Sequence, residues 1–172
     1  MKKMLVIAAF ALGIYACSTN PLTKKSQFTL YNSAELNEMA NQQYRQCLSE
    51  NKVVSASNNK DAEMVRRVGQ RLTKAIEQYY ASQGISQHLQ GYQWEYNLVE
   101  SNDVNAWCMP GGKIVVYTGL LPITQNEAAL AAVVGHEIAH ALLEHGNQRM
   151  SQATAQQLGG VALSVAIANK TP

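Results

Sequence analysis

The sequence predicts an α+β fold in which helices pack on a small antiparallel sheet, with one apolar helix buried between them. Three observations predict it. Two segments of the first half read as helices, one from its capping signal and the other from apolar residues at helical spacing. Residues 92–119 alternate and are rich in aromatic and β-branched residues, which marks strands. The stretch "VVGHEIAHALLEHG" (133–146) sets three histidines and two glutamates into a segment otherwise made of Ala, Val, Leu, Ile and Gly. The composition fits one modest domain with a core of its own: 172 residues, 47% hydrophobic and 15% charged. A formal net charge of +2, with no long run of one sign, points to no nucleic-acid partner.

Taken in order, the chain opens with "MKK" and then "MLVIAAFALGIYA". That apolar run is shorter than the ~20 residues of a membrane-spanning helix and has the length of a signal-peptide core. It stops at Cys17, preceded by "IYA" and followed by "STNP", which resembles the cleavage pattern of bacterial lipoproteins. We therefore expect a signal peptide at 1–16, lipidation at Cys17, and a lipid anchor and tether over 17–31 that holds the protein to a membrane without spanning it. Ser18 gives no inner-membrane retention cue, so the expected place is the outer membrane of a bacterial envelope, facing the periplasm. A plain secretory peptide with a coincidental cysteine is the alternative.

The segment 32–51 reads as a helix that Asn32 can cap, with Glu35 three residues on. A second helix is expected from 61 to 83, with Val65, Val68, Leu72, Ile76 and Tyr79 inward, Arg66, Arg67, Arg71 and Lys74 solvated, and Gly84 as its stop. Strands follow over 92–101 and 113–119, with turn chemistry at Pro110-Gly111-Gly112 between them. Thr124 and Glu127 read as a capping box for a helix over 125–145 that Gly146 stops. Residues 157–172 read as a last apolar helix. Cys47 and Cys108 are either a disulfide or two free thiols, and the sequence leaves both open.

Chemistry gathers on the helix over 125–145. Burying polar side chains is costly unless they have partners. At roughly 100° per residue, with His136 at zero, His140 falls near 40°, Glu144 near 80° and Glu137 near 100°, whereas His145 falls near 180°. Four polar groups thus share one stripe. His136 and His140 are one turn apart and can both reach one metal ion. Glu137 flanks that ion, where it can take a proton from an activated water and pass it to a leaving amine. This is the His-Glu-x-x-His spacing of zinc peptidases, and its alternative is a pair of histidines on a solvated face.

The wider segment "NAWCMPGGKIVVYTGLL…NEAALAAVVGHEIAHALLEHG" resembles family forty-eight of the metallopeptidases, gluzincin-type zinc endopeptidases. That family includes prenyl-protein endopeptidases, heat-shock membrane metalloproteases and periplasmic lipoprotein metalloproteases. The lipoprotein start and "NPLTKKSQ" resemble the outer-membrane lipoprotein branch most. The resemblance implies a mainly helical, zincin-like domain over 32–172, one Zn2+ per chain held by His136 and His140, and Glu137 as catalytic base. It implies that the strand near 105–109 borders the cleft, that an extended substrate adds beside it, and that Asn105 contacts substrate. His145 is read as structural. The family's third zinc ligand is a glutamate in a later Glu-x-x-x-Asp segment. After His140 the sole carboxylate side chain here is Glu144, with no Asp, and Glu144 lies about 12 Å along the axis from His136 if the helix continues. Glu95, Glu100, Asp103 and Glu127 precede the motif with no spacing that recommends them. We therefore expect the chain to stop short of the third ligand, as a truncated form or a short pseudoenzyme.

The function expected on this basis is a zinc-dependent endopeptidase of the cell envelope acting on misfolded or unassembled polypeptides, with envelope-assembly or chaperone partners. Two rivals stand beside it: a non-catalytic lipoprotein with chaperone-like or scaffold binding, and a helical lipoprotein whose histidines are structural.

Overall fold

The computed structural model describes residues 17–168, so the expected signal peptide at 1–16 lies outside the described residues. In chain order the elements are β1 (Cys17–Thr19), β2 (Ser26–Phe28), α1 (Ser33–Glu50), β3 (Val53–Val54), α2 (Lys60–Ser82), β4 (Glu95–Val99), β5 (Ala106–Met109), β6 (Lys113–Tyr117), α3 (Leu121–Thr124), α4 (Glu127–Leu142) and α5 (His145–Ala168). They divide into two compact units. One is Ser33–Glu144; the other joins the chain before Ser33 to the chain after Glu144.

The larger unit is built on a four-stranded sheet of order β3-β4-β6-β5. Successive strand residues face opposite sides, and the two sides carry different loads. Leu98, Ala106, Ile114 and Val116 face a core completed by Ala62, Val65 and Val68 of α2 and Leu130, Val134 and Ile138 of α4. Val99 and Val115 face the other way, with Trp107, Met109 and Tyr117, toward Tyr44 and Leu48 of α1. The central strand β6 is therefore covered on both faces, which is why "KIVVY" lacks the polar alternation of a half-exposed strand. The β3–β4 and β5–β6 pairs are antiparallel, but β4 and β6 run parallel, Glu95 opposite Lys113 through Val99 opposite Tyr117. The small sheet expected from the sequence is thus mixed. The chain leaves β4, lays β5 at the edge, and returns through the Pro-Gly-Gly turn to insert β6 between them.

α1 and α2 keep the expected bounds to within a residue or two. The side chain of Asn59 caps α2, its Oδ1 accepting from the N–H groups of Asp61 and Ala62 at 2.9 Å each. Gly84, at φ +68°, follows the end of α2 as expected. At Gly69 of α2 the helix lies close against the sheet, since an added Cβ would sit 2.2 Å from Tyr96 Cδ1. One inward residue differs from expectation. Tyr79 is 54% exposed and Tyr80 only 2%. The two tyrosines flank the helix's inner stripe, and Tyr80 is on the flank that the returning chain covers, with Ile85 N–H donating to the Tyr80 carbonyl.

In the smaller unit, the expected tether is in part a hairpin, β1 pairing antiparallel with β2 from Cys17 opposite Phe28 to Thr19 opposite Ser26. Buried Asn20 holds its turn, Oδ1 accepting from the N–H groups of Leu22 at 3.0 Å and Thr23 at 3.1 Å. α5 grips the extended chain that follows. Leu30 N–H donates to Ser151 Oγ at 2.8 Å, Asn147 Nδ2 donates to the Tyr31 carbonyl at 2.9 Å, and Ser151 Oγ donates to Asn147 Oδ1 at 3.1 Å. Asn147 and Ser151 are almost wholly buried, so these bonds satisfy polar groups that water cannot reach.

Candidate metal centre

The histidine helix α4 does not begin where the capping box placed it. Thr124 closes the short helix α3, its Oγ1 donating to the Leu121 carbonyl at 3.2 Å. Gln125 then takes the left-handed conformation, φ +61°, which no helix start can use. Asn126 is the cap: its backbone is extended, and its Oδ1 accepts from Ala129 N–H at 2.9 Å. Glu127 opens the helix, where a carboxylate is favoured by the helix dipole. It pairs with Arg67 and, at 3.9 Å, with Arg71. The Arg67 guanidinium holds its carboxyl below the usual range.

α4 also ends early and is less buried than its apolar sequence implied. Leu130, Val134, Ile138 and Ala141 form the one buried face, at spacings of four, four and three. Ala128, Ala132, His136 and Ala139 are exposed. Leu130, Val134 and Ile138 lie on one side and Ala128, Ala132 and Ala139 on the other, so this helix is amphipathic by side-chain size. An exposed Ala forfeits little, because the hydrophobic stabilisation scales with area at about 25 cal/mol/Å². At the C-terminal end Leu143 caps the helix, its N–H donating to the Ala139 carbonyl at 2.9 Å, and the Glu144 N–H donates to the Ala141 carbonyl at 3.1 Å. Glu144 then turns the chain with φ +54°. Glu144 therefore lies off the helical stripe on which the wheel placed it. Gly146 is not the stop either: His145 begins α5, and Gly146 lies within it.

His136 and His140 meet. Their Nε2 atoms are 2.9 Å apart, and the rings stand edge to face with centroids 4.5 Å apart. Nitrogens that each bind one zinc at about 2.0–2.1 Å must lie within about 4 Å of each other, and these do. Two imidazoles are an apt donor set for zinc and a poor one for magnesium or calcium, which take oxygen. Among the described residues no cluster of three or more His, Cys, Asp or Glu side chains forms that could hold an ion. The residues present thus fit two of the usual three protein ligands.

Glu137 is half-buried, on a helix that packs against β5. Its charge is felt at Cys108 of that strand, whose thiol is pushed up to about 12, mainly by burial and further by Glu137. Burial likewise raises the Tyr92 phenol, helped by Cys108, Tyr80 and Glu144. β5 forms the outer edge of the sheet. β5, Ala106–Met109, is the strand expected near 105–109. Asn105 immediately precedes it, exposed, its carbonyl accepting from Tyr117 N–H at 3.0 Å. Among the described residues no hydrogen bond joins Asn105 to α4. Cys47 and Cys108 are both free thiols. Beside the N-terminal half of α4, a cleft of about 420 Å³ opens toward α2, lined by Val68, Arg71, Leu72, Glu127, Ala128 and Ala131. It does not include the histidines.

Sequence reasoning missed the polar network on the opposite face of the sheet. Buried Lys113 donates to Glu95 Oε1 at 2.5 Å and to the Gln93 carbonyl at 2.9 Å, and Tyr44 Oη donates to Glu95 Oε2 at 3.0 Å. Its one legible signal was a lysine heading an apolar strand.

Peptidase family M48 matches residues 63–171. Metalloprotease YcaL of Escherichia coli is 29% identical over 160 residues, covering 87% of this chain and 57% of that protein. Mitochondrial metalloendopeptidase OMA1 of Arabidopsis thaliana is 50% identical over 58 residues, covering 34% of this chain and 12% of that protein. Metalloprotease LoiP of Escherichia coli is 37% identical over 86 residues, covering 49% and 32%. The chain thus spans little more than half, or much less, of the length of these relatives.

Proposed function

The chain belongs to peptidase family M48, and from that premise we propose that it is a zinc-dependent endopeptidase. The observation that carries the reading is the convergence of the His136 and His140 Nε2 atoms at 2.9 Å, next in sequence to a half-buried Glu137 whose charge is felt at Cys108 of the edge strand. His136 and His140 would hold the ion through Nε2. Bound there, zinc would polarise the scissile carbonyl and acidify water. Glu137 is the general base: its carboxylate takes a proton from the attacking water and returns it to the departing amine. The open edge of β5 holds the substrate extended by backbone hydrogen bonds, and Asn105, at the strand's entrance, contacts the substrate backbone. The substrates are misfolded or unassembled polypeptides, and the place is the bacterial envelope, with lipid anchoring at Cys17. Supporting the anchored reading is the Cys17 pattern.

Zinc analysis and a casein cleavage assay test this reading together. The expected result is zinc bound to the wild-type protein, and cleavage abolished by a chelator. Glu137→Gln should keep the zinc and lose about 10²–10⁴ in kcat. Failure of the His136→Ala protein to lose zinc would overturn the assignment. The pair of ligands gathered among the described residues favours one second reading, a non-catalytic lipoprotein with chaperone-like or scaffold binding. Zinc binding without any cleavage would support it.

A further inference from the structure

The edge strand beside Glu137 is only as well placed as the loop that leads into it. That loop, residues 100–105, returns from β4 to start β5 and is pinned at both ends to the far end of β6. The Thr118 hydroxyl bonds the backbone of Ser101 in both directions: it accepts from Ser101 N–H at 3.0 Å and donates to the Ser101 carbonyl at 2.8 Å. The same carbonyl accepts from Gly119 N–H at 2.8 Å. Gly119 permits this contact because it has no side chain; a Cβ there would lie 2.4 Å from the Asn102 carbonyl oxygen. The other end is fixed where Tyr117 N–H meets the Asn105 carbonyl at 3.0 Å. Between the pins Asn102, Asp103 and Val104 stand out into solvent, Val104 59% exposed. Asn105 then leads directly into Ala106, the first residue of β5.

We propose that Thr118 is a positioning residue for the substrate-binding edge: through Ser101 it sets where Asn105 and the first backbone groups of β5 stand for an incoming extended peptide. The inference rests on the proposal that β5 receives the substrate. Thr118 touches no substrate itself. Its side chain gives the Ser101 N–H a partner and the Ser101 carbonyl a second one beside Gly119 N–H, so it fixes the loop without adding a strand. A Val side chain has the same shape and neither hydrogen bond; a Ser keeps both.

The test reads binding and needs no turnover. A fluorescein-labelled unfolded casein peptide is titrated by anisotropy into the Glu137→Gln protein, alone and combined with Thr118→Val, Thr118→Ser or Thr73→Val. Thr73 serves as control: its buried hydroxyl bonds Tyr96 Oη at 2.6 Å on the α2 side of the core, away from the loop. Melting temperatures are measured in parallel. The expected result is a five- to twenty-fold weaker Kd with Thr118→Val, recovery to within two-fold with Thr118→Ser, and an unchanged Kd with Thr73→Val despite a comparable drop in melting temperature. Equal weakening by Thr73→Val and Thr118→Val would mean a merely structural role and overturn the proposal. So would an unchanged Kd in Thr118→Val. Absence of peptide binding to the Glu137→Gln protein would overturn it too, while leaving zinc-dependent cleavage by wild type to be judged by its own assay. If Thr118→Val misfolds, Thr118→Ala with Thr118→Ser as its rescue answers the same question.

Discussion

At the scale of single residues, the contacts that matter are those where a side chain, or its absence, has no substitute. Gly112 closes the β5–β6 turn at φ +87°, and a Cβ there would lie 2.6 Å from Trp94 Cε3. Both facts oppose any larger residue. Gly112→Ala should cost about 1–3 kcal/mol, read from chemical denaturation. Glu95 offers a prediction in pH. Hydrogen bonding from Lys113, and then from Tyr44, holds its carboxyl below the ordinary value of 4.5 in the folded protein, against the opposing effect of burial. A depressed carboxylate adds stability that is complete above the unfolded-state value and drains away as pH falls through the folded one. Stability should therefore decline below about pH 4.5. Glu95→Gln should flatten that acid limb in denaturation curves recorded from pH 6 down to pH 3. An acid limb as steep as the wild type's would remove Glu95 from the explanation. The meeting of His136 and His140 was legible in the sequence because four residues make one turn of any α-helix. The partners of Lys113 and the nearness of Glu137 to Cys108 were not, because they depend on which strands become neighbours.

At the scale of elements, helix interiors were easier to read than helix ends. The apolar repeat fixed α2 and the body of α4, but two strong caps competed for the start of α4. Thr124 and Asn126 both precede a helical run, and the left-handed Gln125 between them gave the start to Asn126. Asn126→Ala should cost about 0.5–2 kcal/mol, measured as a shift in the denaturation midpoint. At the other end Gly146 looked like the natural stop, yet Glu144 accepted the positive φ and left Gly146 to the next helix. Such a residue is unusual for that conformation, so no local rule pointed to it. The one-sided burial of α4 gives a paired prediction. Ile138→Ala, on the buried face, should destabilise by about 2–5 kcal/mol. Ala132→Gln, on the exposed face, should stay within about 0.5 kcal/mol of wild type. A large loss in the second variant would mean that this face is covered in solution.

At the scale of the whole molecule, the division of the chain into two units follows from where its ends return. The extended chain at Leu30–Tyr31 and the helix beginning at His145 belong together although more than a hundred residues separate them, because Ser151 and Asn147 bond its backbone. Ser151→Ala would take the partner from the Leu30 N–H, at a cost of about 1–3 kcal/mol within that unit. Amide exchange at Leu30 should accelerate accordingly; unchanged protection there would show that the grip does not depend on Ser151. No periodicity could announce this association, since it is made by two polar side chains meeting main-chain groups of a segment that otherwise reads as a lead-in.

The strand order carries a consequence for how the protein comes into being. β6 is central, yet its sequence neighbour β5 is at the edge and its parallel partner β4 lies on the far side of a loop. A hairpin closes locally in about 1–10 μs, whereas the β4–β6 pair must first span that loop and meet the cost of closing it. The β5–β6 ribbon is thus the natural nucleus, and β4 joins it afterwards. In stopped-flow experiments Gly112→Ala should mainly slow refolding, and Leu98→Ala should mainly hasten unfolding. The edge proposed to receive substrate would then be among the first parts of the molecule to exist, open for pairing before the core beneath it has closed, so a nascent chain meets its own aggregation hazard at that strand.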